Sequence, residues 1–194
     1  MRRAAILQVA REVFIEVGYA ATSMSQIAAR VGGSKATLYK YFPSKEELFA
    51  ASLEDLIGSH AEEKALPEPT SENLVKTLAA ICKKITTAMV SPPFLSLCRL
   101  VVAESPRFPE VGRAYYDKII LPGTKRIADF LQICIDKKLI KPIDPMLAAE
   151  QLLALCRSSG HFRALTNPAE PPTATELTAE AEAAAATFLA AFRQ

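Results

Sequence analysis

Between Ser34 and Tyr41 the chain sets Ser34, Lys35, Thr37, Tyr39, Lys40 and Tyr41 on one short segment. Hydroxyls and phenols interleaved with cations match phosphate oxygens and the hydrogen-bonding edges of bases. The chemistry on offer is recognition of a polyanion. Catalysis has weaker credentials, because the only two histidines, His60 and His161, have no Asp/Glu or Ser partner at a recognisable catalytic spacing. An enzyme pairing His161 with Glu104 or a cysteine is therefore one rival reading, and a helical adaptor docking an acidic partner on the Lys/Tyr face is another.

Charge supports the same end of the chain. Residues 1–45 hold seven cations (Arg2, Arg3, Arg11, Arg30, Lys35, Lys40, Lys45) against Glu12 and Glu16, a surplus of five. The whole chain carries +2, so the remainder sums to about −3. A basic end of this kind suits a partner made of phosphates, although a solvated surface produces the same excess.

The elements that must hold this segment are helices. Ile6, Ala10, Val13, Phe14 and Val17 recur at the 3–4 spacing of an apolar stripe, and Gly18 is expected to end that helix. Ser23 with Gln26 reads as a capping box before a helix of about two turns, which Gly32-Gly33 stops. Ser34 caps a third helix, KATLYKYF, and Ser44 with Glu47 forms a second capping box. Helices this short are marginal alone and persist only by packing Ile27, Ala28, Val31, Leu38 and Phe42 against the first helix. The opposite face of the third helix is left outward, at a width that fits the DNA major groove.

The string GYAATSMSQIAARVGGSKATLYKYFPSKEELF resembles the DNA-binding domain of the TetR family of transcriptional regulators, over Ile6 to about Leu53. The resemblance implies phosphate contacts from Ser23, Tyr39 and Lys45, groove positions for Lys35, Ala36, Thr37 and Tyr41, and a base-reading position at Ser25. Two departures stand out. Gly33 replaces the usual apolar residue of the turn, and Ala36 replaces a frequent glycine, where its methyl either meets a thymine methyl or merely favours the helix.

The rest of the chain also reads as helix, in segments bounded by the proline-bearing stretches LPEPTSE, SPP, SPRFP, KPIDP and TNPAEPPT. Nothing alternates with period two, so the fold is expected to be all-α: a three-helix helix-turn-helix domain over 1–45 and a larger helical ligand-binding and dimerisation domain over 46–194. A kink is expected at Pro122-Gly123, and single helices over Asp144–Leu165 and Thr173–Phe192. Cys82, Cys98, Cys134 and Cys156 form no C-x-x-C pair and read as small buried apolar residues, with neither metal nor cofactor implied. No run of about 18 apolar residues and no leader pattern is present, which predicts a cytoplasmic chain that makes no use of a membrane.

Members of the family are two-fold dimers that read two half-sites of a palindromic operator on double-stranded DNA, so the resemblance implies a homodimer. Two apolar stripes on the last helices are the candidate interface, with Leu152, Leu155, Cys156 and Ser159 on one and Ala181, Ala184 and Phe188 on the other; a packing role in the chain's own core is the alternative. The segments RLVVAE and RFPE, at Arg99–Glu104 and Arg107–Glu110, look like the carboxy-terminal domain of AefR-like regulators. That resemblance implies a pocket for a small apolar or amphipathic effector, with Phe94, Leu97, Leu100, Tyr115, Tyr116, Ile119 and Phe130 as lining candidates and His161 as a weaker one. Arg99 and Glu104 either orient a polar group of the ligand or pair with neighbours and cap a turn. The expected activity is repression relieved when the effector binds.

Overall fold

The computed structural model describes residues 3–61 and 68–193, with side chains described for 3–55 and 68–193. His60 thus lies outside the described side chains. Among the described residues there is no strand, only an isolated antiparallel bridge between Ile140 and Arg193, and no single helix is long and apolar enough to cross a membrane.

The helices are α1 (Arg3–Ala21), α2 (Met24–Val31), α3 (Lys35–Tyr41), α4 (Lys45–Ala61), α5 (Leu74–Met89), α6 (Pro92–Glu104), α7 (Pro109–Tyr115), α8 (Leu121–Asp136), α9 (Pro145–Cys156), α10 (Ser159–Thr166) and α11 (Ala174–Phe192). A π-helical turn, Tyr116–Ile120, joins α7 to α8. The kink expected at Pro122 is taken up there: proline offers no N–H, and the chain shifts to a longer ring in which Leu121 N–H bonds to Tyr116.

Compactness divides the chain into two units, 1–64 with 96–122 and 65–95 with 123–194. The expected boundary at residue 45 falls inside the first unit. In that unit α1 buries Ile6, Leu7, Ala10, Val13 and Phe14 against Leu48, Phe49 and Leu53 of α4. Met24, Ile27 and Ala28 anchor α2, and Leu38 with Phe42 anchors α3. Gly18 adopts φ 86° and ψ 161°, so α1 breaks at the expected residue but resumes for one more turn.

The second unit is built on α5 lying along α11, with α9 against both. Its core includes Leu78, Cys82, Leu131, Cys134, Leu152, Cys156, Ala181, Ala184 and Phe188. Cys82, Cys134 and Cys156 are the small buried residues expected, whereas Cys98 of the first unit is only half-buried. Asp144 caps α9 through Leu147 N–H at 2.7 Å, with Pro145 in the first turn.

The single helix expected over 144–165 is two. Beyond Cys156 the chain breaks, and the carboxylate of Glu180, on α11, accepts from Ser158 Oγ, from Ser159 Oγ at 3.0 Å and from Gly160 N–H at 3.0 Å. A charged cap at that point starts α10 afresh. Gly160 leaves room for this close approach, since a Cβ there would stand 2.6 Å from a Glu180 oxygen and the carboxylate would have to shift.

A full capping box opens α11, with Glu176 N–H bonded to Thr173 Oγ1 at 3.2 Å and Thr173 N–H to Glu176 Oε2 at 2.7 Å. The Arg163 guanidinium bonds the same carboxylate at 2.8 Å. Arg163, then the N–H and hydroxyl of Thr173, pull the Glu176 carboxyl from an ordinary 4.5 down to about 2. A depressed carboxylate stabilises the fold above its unfolded value and ceases to do so as pH falls through the folded one. Thermal melts should therefore separate wild type from Glu176→Gln at pH 6, with the gap closing between pH 4.5 and about pH 2.

Candidate nucleic-acid interface

The segment Ser34–Tyr41 stands as a capped helix with one buried anchor. Ser34 Oγ accepts from Thr37 N–H at 3.0 Å and lies 2.8 Å from Thr37 Oγ1. Leu38, 1% exposed, pins the inner face with Phe42 at 3%. Lys35, Ala36, Tyr39, Lys40 and Tyr41 are exposed and Thr37 is half-buried. The Lys35 ammonium sits 5.8 Å from the centre of the Tyr39 ring, so cation and phenol travel together.

Upstream, Ser23 Oγ accepts from Gln26 N–H at 3.2 Å, and both Ser23 and Ser25 are exposed. The turn between α2 and α3 uses its glycines in different ways. Gly32 takes φ 76°, and Gly33 N–H closes a wider ring to Ala28 O at 3.0 Å, a Schellman ending that satisfies the last carbonyls of α2.

Several cations of the basic surplus are occupied. Arg30 makes a two-point contact with the Glu16 carboxylate, one arm at 2.8 Å, tying α2 to α1 and holding that carboxyl below its usual range. Arg11 donates to Ser52 O at 3.2 Å and approaches Asp55 at 3.4 Å. Lys45, expected at a phosphate, has two of its three N–H donors engaged within the chain: its ammonium donates to Tyr19 O at 2.9 Å and Thr22 O at 3.2 Å, and lies 4.3 Å from the Tyr19 ring centre. Those carbonyls are acceptors left over at the end of α1, and a cation there fastens α4 to them.

Tyr19 is the residue that the motif pattern left unassigned. It is 1% exposed, stacked 5.7 Å from Phe14 and edge-on to Phe49 at 5.3 Å and Phe108 at 5.4 Å. Burial, then the nearby carboxylates of Glu46 and Glu110, raise its phenol far above the usual range. Tyr19 is thus a packing residue with a neutral hydroxyl.

The effector candidates are found in both units. In the first, Leu97, Leu100 and Ile119 are buried, Arg99 and Tyr116 are exposed, and Tyr115 Oη lies 3.4 Å from Cys98 Sγ. Glu104 takes the turn-capping alternative and accepts from Ala20 N–H at 3.2 Å. In the second, Phe130 is part of the core, while His161 Nδ1 lies 3.1 Å from Met89 O and its ring 6.5 Å from that of Phe94.

The dimer candidates need correction. Leu152, Cys156, Ala181, Ala184 and Phe188 are at most 4% exposed and pack in the chain's own core. Of the seven, only Leu155 and Ser159 face outward. Leu147 and Phe162, at 46% and 60%, are exposed large apolar side chains of the second unit, as are Val75 and Ile133.

With this geometry in hand, comparison with known proteins is decisive. Residues 6–52 match the family model for bacterial regulatory proteins of the tetR family. Residues 76–194 match the model for the AefR-like transcriptional repressor C-terminal domain. The chain belongs to the TetR family. It is a helix-turn-helix transcriptional regulator and not an enzyme. Among its relatives, the flavonoid-responsive regulator FrrA is 32% identical with a TM-score of 0.82, the match covering 97% of this chain and 95% of that one. A TetR-family regulator from Mesorhizobium loti is 28% identical over the whole of both chains, also with a TM-score of 0.82. The uncharacterized regulator YhgD of Bacillus subtilis is 28% identical, over 79% of this chain and 80% of that one.

Proposed function

We propose that the protein is a dimeric repressor that grips a palindromic operator and is released by a small aromatic or amphipathic effector. The observation that carries the reading is the outward helix Ser34–Tyr41, where Lys35, Tyr39, Lys40 and Tyr41 are exposed over a buried Leu38. A helix of this kind reads base edges from the major groove, while its hydroxyls and cations set register on the phosphates. One such helix makes few contacts, so selectivity requires two, placed ~34 Å apart or a multiple of it on one face of the duplex.

The outward apolar side chains Leu147, Leu155 and Phe162, with the small exposed residues Ala179, Ala183 and Ala186 of α11, are the surface we assign to the second copy. An effector class that is aromatic and amphipathic is supported by the 32% likeness to a regulator described as flavonoid-responsive. Such a ligand acts by binding one arrangement of the helices better than the other.

The test is selection of bound duplexes from a random DNA pool, followed by titration of the enriched sequence against salt. An inverted repeat is expected, with log affinity falling linearly in log salt at a slope near −0.9 per phosphate contact. Enrichment of no sequence, or a flat salt response, contradicts the reading.

A further inference from the structure

We propose that Glu104, the last residue of α6, is a positioning residue that sets the pose of the DNA-reading helices by capping the turn that follows the Gly18 break in α1. The inference rests on the operator-binding reading above and adds a residue that neither the groove nor the effector reading uses.

The argument begins with the backbone. At φ 86° and ψ 161° Gly18 interrupts the helical ladder of α1. Tyr19, Ala20 and Ala21 therefore open a new turn whose first N–H groups have lost their partners. Glu104 Oε1 stands 3.2 Å from Ala20 N and accepts its proton. A carboxylate at the start of a helical turn is favoured by both the hydrogen bond and the dipole. Residue 18 must leave room for it, because a Cβ there would lie 2.8 Å from the same oxygen. The glycine thus serves the positive φ and the carboxylate together.

Both ends of this contact are held. On the α6 side, the main-chain carbonyl of Glu104 accepts from Phe108 N–H at 2.9 Å and Arg107 N–H at 3.0 Å, which fixes where the side chain starts. On the α1 side, Thr22, 3% exposed, closes the turn by donating Oγ1–H to Gly18 O at 2.7 Å. The next residue, Ser23, is the cap of α2. The captured turn is therefore followed directly by the helix pair that reads DNA. Glu104, Gly18, Ala20 and Thr22 all lie in the first unit, so the contact acts on α2 and α3 from within it.

The test separates reach from charge. Glu104→Asp keeps the charge but is one methylene too short, and Glu104→Gln keeps the reach and an acceptor oxygen. On the duplex enriched by the wild-type chain, E104D and Glu104→Ala are expected to bind about five- to tenfold more weakly, with E104Q within about twofold. Amide exchange at Ala20 should quicken in E104D and E104A and not in E104Q, while melting temperatures of the two conservative variants stay near wild type. Wild-type affinity in E104D, or unchanged exchange at Ala20, overturns the role of Glu104 and leaves operator binding intact. If the wild-type chain enriches no duplex, the operator reading fails first, and the positioning role fails with it.

Discussion

Tyr39→Ala is expected to cost about a hundredfold in affinity for the selected operator while leaving the fold unchanged. The phenol is 41% exposed and makes no part of the core, so its loss should change stability by less than ~0.5 kcal/mol. A hydrogen bond to a charged phosphate is worth about 1.5–3 kcal/mol. A two-fold dimer loses it once per half-site, and each ~1.4 kcal/mol is tenfold in affinity. Lys35→Ala behaves differently, because it removes a charge: its mark is a salt slope shallower by about one unit per half-site. Leu38→Ala is the contrast on the same helix, since a leucine 1% exposed leaves a cavity costing about 2–5 kcal/mol and takes binding down with the fold. Gel shift and fluorescence anisotropy at two salt concentrations, with circular dichroism melts, distinguish the three. Tyr39→Ala binding like wild type would falsify the placement of this face in the groove.

What the sequence revealed of this site, and what it hid, follows from how local each cause is. Ser23, Ser34 and Ser44 bond to N–H groups three residues away, so three helix starts were legible from spacing alone. The break between α9 and α10 was not, because its cap is Glu180, on another helix and twenty residues on from Gly160. The same limit explains Lys45. Its type and place suit a phosphate, but the carbonyls of Tyr19 and Thr22 that hold its ammonium arrive through tertiary packing. It also explains the dimer candidates. Period marks which residues are apolar and says nothing of what covers them, and α5 covers the α11 stripe. Glu104 sat between two readings for this reason, and only the coordinates bring Ala20 to it.

In the dimer we propose, Phe162→Glu should leave a single 21.1 kDa chain that keeps its helical content. Phe162 is 60% exposed and no part of the core depends on it, so the charge is tolerated by an isolated chain. In a two-fold interface the substitution appears twice, and each new carboxylate must be buried without a partner, a penalty of several kcal/mol per dimer. Operator affinity should drop at least a hundredfold in consequence, since two linked reading heads act through a high effective concentration that separate chains lack. Phe188→Ala gives the opposite pattern. That ring is 1% exposed, 4.9 Å from Phe192, and its removal should lower unfolding free energy by about 3–5 kcal/mol while any folded material remains dimeric. Light scattering across a concentration series, run beside denaturant melts, separates the two outcomes. A dimeric Phe162→Glu would place the interface elsewhere on the second unit, and a monomeric, well-folded Phe188→Ala would return the α11 stripe to the interface from which its burial removes it.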